Sequence, residues 1–89
     1  MHDNDIPAIA PLYRFQWEEA QNCYVLLYPE GMIKLNLSAG EILEHCNGKL
    51  NINAIIALLQ QKYPQANLAN DVREFLETAH NNGWLSTEN

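Results

Sequence analysis

Apolar and polar positions change their rhythm partway along the chain, from a two-residue alternation in the first half to helical spacing in the second. Residues 12–17 and 22–28 are rich in aromatic and β-branched side chains, and the polar run Glu18-Glu19-Ala20-Gln21 between them suits a hairpin connection. Two antiparallel strands are predicted. Pro29-Glu30-Gly31 then supplies a turn, because proline presets φ and glycine accepts a positive one. A third strand is expected over residues 32–37, with Ile33, Leu35 and Leu37 on one face and Met32, Lys34 and Asn36 on the other.

From residue 38 the period lengthens. Ser38-Ala39-Gly40-Glu41 reads as a capping box, in which serine accepts an amide hydrogen bond and Glu41 reaches back. The stripe Ala39, Ile42, Leu43 and Cys46 continues a helix to about Asn47, and Gly48 suits its left-handed end. Asn51 caps a second helix carrying Ile52, Ile55, Ile56, Leu59 and Tyr63, which Pro64 stops. Leu68, Val72, Phe75, Leu76 and Ala79 define a third, closed by Gly83 ahead of Trp84 and Leu85. Residues 1–11, with Pro7 and Pro11, read as a loose, flexible lead-in, and residues 86–89 as a tail. The expectation is one domain over residues 12–85: an α+β, winged-helix-like arrangement of a three-stranded antiparallel sheet followed by three helices, the helices covering one sheet face.

Composition narrows the functions open to such a domain. With 89 residues, 47% of them apolar, the chain can build one core but not a core plus a separate catalytic lobe. Eleven acidic residues against five basic ones give a net charge of −6, and the cations Arg14, Lys34, Lys49, Lys62 and Arg73 are dispersed. That distribution argues against nucleic acid and against an anionic membrane surface. No run approaches the roughly 18 to 20 apolar residues of a membrane span, and residues 1–11 lack the order of a signal peptide. A cytoplasmic location is expected. Cys23 and Cys46 are too few for a disulfide scaffold and read as strand and helix interior.

Candidate chemistry is sparse. His45 and Cys46 are adjacent on a helix and so point about 100° apart, and no Cys-x-x-Cys or His-x-x-x-His spacing exists. His80 sits three residues after Glu77, a spacing that usually gives a modest surface contact. Asp71, Glu74 and Glu77 read as a solvated helix face, and the four glycines are isolated at turns or caps. The expectation is a protein without catalytic residues, metal or cofactor.

The run Leu26-Leu27-Tyr28-Pro29-Glu30-Gly31, within Tyr24 to Asn36, resembles the signature of the PqqD family. Downstream, Ser38-Ala39 with Ile42-Leu43, then Cys46-Asn47-Gly48, Asp71-Val72 with Phe75-Leu76, and Gly83-Trp84-Leu85 follow in the family's order, so the likeness covers nearly all of residues 12–85. Asn47 stands where the family commonly has aspartate, and so does Glu18, both at expected turns. The resemblance implies a precursor-peptide recognition domain of winged-helix type. It would hold the peptide PqqA during pyrroloquinoline quinone (PQQ) biosynthesis and present it to the radical S-adenosylmethionine enzyme PqqE.

The residues themselves suggest a mechanism for such a role, because the last strand of the sheet can leave an edge open to strand addition. The expected site comprises Met32, Ile33, Lys34, Leu35 and Asn36 along that edge, with Val72, Arg73 and Leu76 across a groove on the third helix. Ile33, Leu35, Val72, Phe75 and Leu76 are also natural core residues, and Lys34 and Arg73 are read either as solvated surface or as peptide contacts. A free edge further allows a monomer or a weak or swapped dimer. Two competing readings stay open. A winged-helix nucleic-acid-binding module is disfavoured by three carboxylates against one arginine between Asp71 and Glu77, and a purely structural subunit would bind no short peptide.

Overall fold

The computed structural model describes residues 1–88, and the side chains of residues 1–87. Its elements run β1 (Ile6–Ile9), β2 (Arg14–Glu18), β3 (Cys23–Tyr28), β4 (Gly31–Lys34), α1 (Leu37–Glu44), α2 (Ile52–Lys62), α3 (Ala69–Asn81) and β5 (Leu85–Glu88). The three expected strands are β2, β3 and β4. They form an antiparallel sheet in the order β2-β3-β4, and the three helices follow them, so the chain is an α+β fold.

One face of that sheet meets the helices. Leu26 on β3 and Leu35 just after β4 join Ile42, Leu43, Ile55, Leu59, Val72 and Leu76 in a single buried cluster, with Phe15, Tyr24 and Ile33 packed against it. Gly40 decides how closely α1 approaches: a Cβ there would lie 2.9 Å from a ring carbon of Tyr24. That ring has little freedom to yield, since it stacks on Phe15 at 4.6 Å, meets Trp17 edge-on at 5.2 Å and donates its hydroxyl to Glu44 at 3.2 Å. Gly40 is a packing glycine inside a helix, where the residue's usual conformational cost is about 0.5–1 kcal/mol.

Two stretches expected to lie outside the domain carry strands, which corrects the lead-in and the tail. Ile6–Ile9 pairs antiparallel with Leu85–Glu88, in the register Ile6 with Glu88 and Ile9 with Leu85. Pro7 is fully buried there, and a proline costs no bond to β5 because its backbone faces the other way, its carbonyl accepting from Gly48 at 3.1 Å. The segment before β1 is also held. Ile52 donates to the carbonyl of Asp5 at 3.0 Å and Asn53 to that of Asp3 at 3.1 Å, so the amino-terminal residues satisfy amides in the first turn of α2, where a helix has no internal acceptors.

A second correction concerns the start of α1. The helix begins at Leu37, and its cap is Asn36, whose side-chain oxygen accepts from Ala39 at 2.8 Å. Asparagine caps as well as serine does, so the helix starts two residues before Ser38 and removes Leu35, Asn36 and Leu37 from the expected strand. Glu41 serves elsewhere than in a capping box: its carboxylate binds Tyr63 and Lys62. The expected ends of α2 and α3 hold. Asn51 caps α2 through Ala54 at 2.8 Å, and Gly83, at φ +83°, closes α3 while Trp84 donates back to Ala79 at 2.9 Å.

Candidate functional site

The sheet offers an open edge at β4, which pairs with β3 alone. Its register is Val25 with Lys34, Leu26 with Ile33, Leu27 with Met32 and Tyr28 with Gly31, and Leu35 donates to Tyr24 at 3.0 Å just beyond the ladder. Residues of an antiparallel pair alternate between facing the partner and facing away. The Leu35 bond fixes the phase, so Gly31 and Ile33 bond to β3. Met32 and Lys34 direct their N–H and C=O groups to the open edge. Side chains follow the same parity: Ile33 packs against the core, whereas Met32 and Lys34 stand on the outer face, both exposed.

At the start of α1, a cavity of about 350 Å³ opens between the three helices. Leu37 and Ile42 of α1, Leu59 and Tyr63 at the end of α2, and Val72 of α3 with Leu68 just before that helix supply its walls. Leu37 is the most exposed large apolar side chain, at 80%. Glu41 and Asp71 stand among these walls as acids. Glu41 accepts from the Tyr63 hydroxyl at 2.6 Å and from Lys62 Nζ at 2.9 Å, and these partners, the hydroxyl foremost, hold its carboxyl below the usual range. This cluster ties α1 to the end of α2. The loop beyond it is pinned by Gln60, which donates to the carbonyls of Tyr63 and Ala66 and accepts from Leu68.

The residues singled out in the sequence divide among four places. Met32 and Lys34 present backbone to the edge, and Ile33 faces inward from it. Leu35, Val72 and Leu76 are core residues, at 6%, 2% and 0% exposure, with Val72 alone also reaching the cavity. Asn36 is the cap of α1. Arg73 stands on the other flank of α3: residues 71 and 73 are about 200° apart on a helix, and while Asp71 lines the cavity, Arg73 makes a two-pronged contact with Asp3, 3.0 Å on each side. Leu37, Tyr63 and Leu68 were missed as site residues. Only the exposure of Leu37 would have flagged them, and exposure is not visible before the start of α1 is known.

Among the described residues no group of three or more His, Cys, Asp or Glu is placed to hold a metal ion. Cys46 is buried, its thiol 3.5 Å from the carbonyl of Ile42, and burial pushes that thiol up to about 12. No helix among the described residues is long and apolar enough to cross a membrane.

The sequence profile of the family described as "Coenzyme PQQ synthesis protein D (PqqD)" matches residues 23–85. This chain belongs to the PqqD family. Relatives support the same membership over more of the length. A protein of Methylococcus capsulatus named "PqqA binding protein" is 54% identical over 86% of this chain and 83% of its own, and one of Azotobacter vinelandii with the same name is 52% identical over 92% and 90%. Among solved structures, the fold is similar to the solution structure of the PqqD truncation of Methylobacterium extorquens PqqCD, described as a functional, stand-alone RiPP recognition element. The TM-score is 0.74 at 25% identity, covering 97% of this chain and 94% of that one. The PqqD match begins at Cys23, so β1 and β2 lie outside it, and β4, the cavity and α3 lie within it.

Proposed function

We propose that this chain is a peptide-binding protein of PQQ biosynthesis that holds the precursor peptide PqqA by strand addition to β4 and presents it to the radical S-adenosylmethionine enzyme PqqE. The observation that carries the reading is the name "PqqA binding protein" on relatives 54% and 52% identical across most of the chain. The geometry supports it with a means of binding: an unpaired strand edge at β4 and a largely apolar cavity that begins at Leu37, the first residue of the next helix. Backbone pairing at Met32 and Lys34 gives affinity without regard to sequence, and alternate side chains of the added strand turn inward toward the helices. The apolar walls at Leu37, Leu68 and Val72 then take one or more of them. Leu35 and Leu76 act from beneath by keeping the sheet and α3 in place, and Arg73 anchors the amino-terminal segment.

In this reading the protein is a carrier and not a catalyst. Of the two acids in the cavity wall, Glu41 is engaged by Tyr63 and Lys62, and Asp71 stands apart from that cluster. Titration of the protein with synthetic PqqA, followed by amide shifts and calorimetry, tests the binding. Mass spectrometry of PqqA after prolonged incubation tests the carrier role. Unchanged peptide mass with saturable binding is the expected result, and either a reproducible mass change without added enzyme or the absence of binding overturns it.

A further inference from the structure

The outer face of the sheet has a charge pattern that the backbone edge does not explain. Two rows cross it, Arg14 on β2, Leu27 on β3 and Met32 on β4 in one, and Gln16, Val25 and Lys34 in the other. The ion pairs among the described residues engage the Met1 amine, Lys62 and Arg73, so Arg14 and Lys34 are cations of this face that make none. Glu18 shares this face but stands on β2, the strand farthest from β4, where it accepts from Gln16 and makes no ion pair among the described residues, so in a chain of net charge −6 the charge beside the open edge is that of Lys34.

A strand added to β4 continues both rows by one position. The residue opposite Lys34 has its side chain on the outer face, with Cβ atoms about 4.5–5.5 Å apart, the spacing at which opposite charges on neighbouring strands attract and like charges repel. Its two neighbours in the peptide turn inward, on the side of Ile33. Arg14 lies on the same face three strand spacings from the added strand, about 14 Å, which exceeds the screening length of about 8–10 Å near physiological salt. Contact therefore falls to Lys34.

We infer that Lys34 is a specificity-determining residue that sets the register of the bound peptide by pairing with a carboxylate side chain on the outer face of the added strand. The recognised class is a peptide segment with an acidic residue between two apolar ones. The inference rests on the strand-addition reading above. It also gives an acidic protein a local means of accepting an acidic residue at one position of the strand and of disfavouring a lysine or arginine there.

The test is a binding cycle with synthetic PqqA, each acidic residue changed singly to its amide or to lysine, against Lys34→Gln, Lys34→Glu and the control Arg14→Glu, with circular dichroism to check folding. Lys34→Glu is expected to weaken binding about five- to tenfold at low salt, less at high salt, and Arg14→Glu by less than about twofold. One acidic position in the peptide should lose its contribution in Lys34→Gln, and lysine at that same position should restore binding to Lys34→Glu. Equal losses in Lys34→Glu and Arg14→Glu, or no acidic position coupled to residue 34, would overturn the inference while leaving strand addition intact. Amide protection at Met32 and Lys34, measured on the same samples, separates this from failure of strand addition itself, which would remove both.

Discussion

Arg73 and Asp3, separated by 70 positions, meet as a two-pronged ion pair, with Nε to Oδ1 and Nη2 to Oδ2 both at 3.0 Å. The pair stands on the flank of α3 turned away from the cavity, and the same Asp3 gives its carbonyl to Asn53 at the start of α2. Arg73 therefore secures the amino-terminal segment.

Removing the guanidinium should release that segment and spare the peptide. In Arg73→Ala, hydrogen exchange at Ile52 and Asn53 is expected to accelerate, since their acceptors are the carbonyls of Asp5 and Asp3. PqqA affinity should stay within about twofold. The clasp should also depend on pH. The guanidinium beside Asp3 holds its carboxyl below the ordinary 3.8, so the contribution is complete above that value and is lost as pH falls through the lower folded value. Exchange at the two amides, followed from neutral to acid pH, checks the sign.

Leu76 and Leu37 should separate stability from binding. Leu76 is fully buried, so Leu76→Ala is expected to cost roughly 2–5 kcal/mol of stability by denaturant unfolding, and the folded fraction should retain its affinity. Leu37, at 80% exposure in the first turn of α1, should tolerate Leu37→Asp in the fold, because an acid is favourable near a helix start. The same change should weaken PqqA binding severalfold by placing charge at the cavity wall.

Gly40→Ala sets two effects against each other. Alanine gains about 1 kcal/mol of helix propensity over glycine, but its methyl carbon would press on the Tyr24 ring at 2.9 Å, and overpacking costs about 1–3 kcal/mol. The ring is held by Phe15, Trp17 and Glu44, so the loss should win. A lowered unfolding midpoint is expected, and a rise would mean that Tyr24 can turn aside.

The cysteines should differ in reactivity. Cys46 is 2% exposed with its thiol pushed up to about 12, whereas Cys23 is half-buried on the outer face of the sheet. Alkylation of the native protein at pH 8 should modify Cys23 first and Cys46 only on unfolding, as read by peptide mass spectrometry.

Much of this architecture was legible in the residues. The two-residue alternation around Ile33 and the stripe from Leu68 to Ala79 announce β4 and α3, because local periodicity follows directly from which side is buried. The pairing of Ile6–Ile9 with Leu85–Glu88 left no local signal: it joins the two ends of the chain, and Pro7 argues against a strand when read alone. The start of α1 was misplaced because Asn36 and Ser38 are equally competent caps, and only the engagement of Glu41 by Tyr63 removes the capping box. The same error made Leu35 and Asn36 seem part of the edge. Arg73 reads in the sequence as either solvated surface or a contact in the groove between the last strand and α3, and nothing local signals that Asp3, 70 positions away, engages it.

In the proposed complex PqqA pairs with β4 through the backbone of Met32 and Lys34. Amide hydrogen exchange at single-residue resolution, with and without saturating PqqA, tests it most directly. Free protein should exchange rapidly at Met32 and Lys34 and more slowly at Ile33 and Leu35, which already bond to β3. Peptide should slow Met32 and Lys34 specifically. Saturating peptide that leaves both amides exchanging as in the free protein, while protecting others, would contradict strand addition.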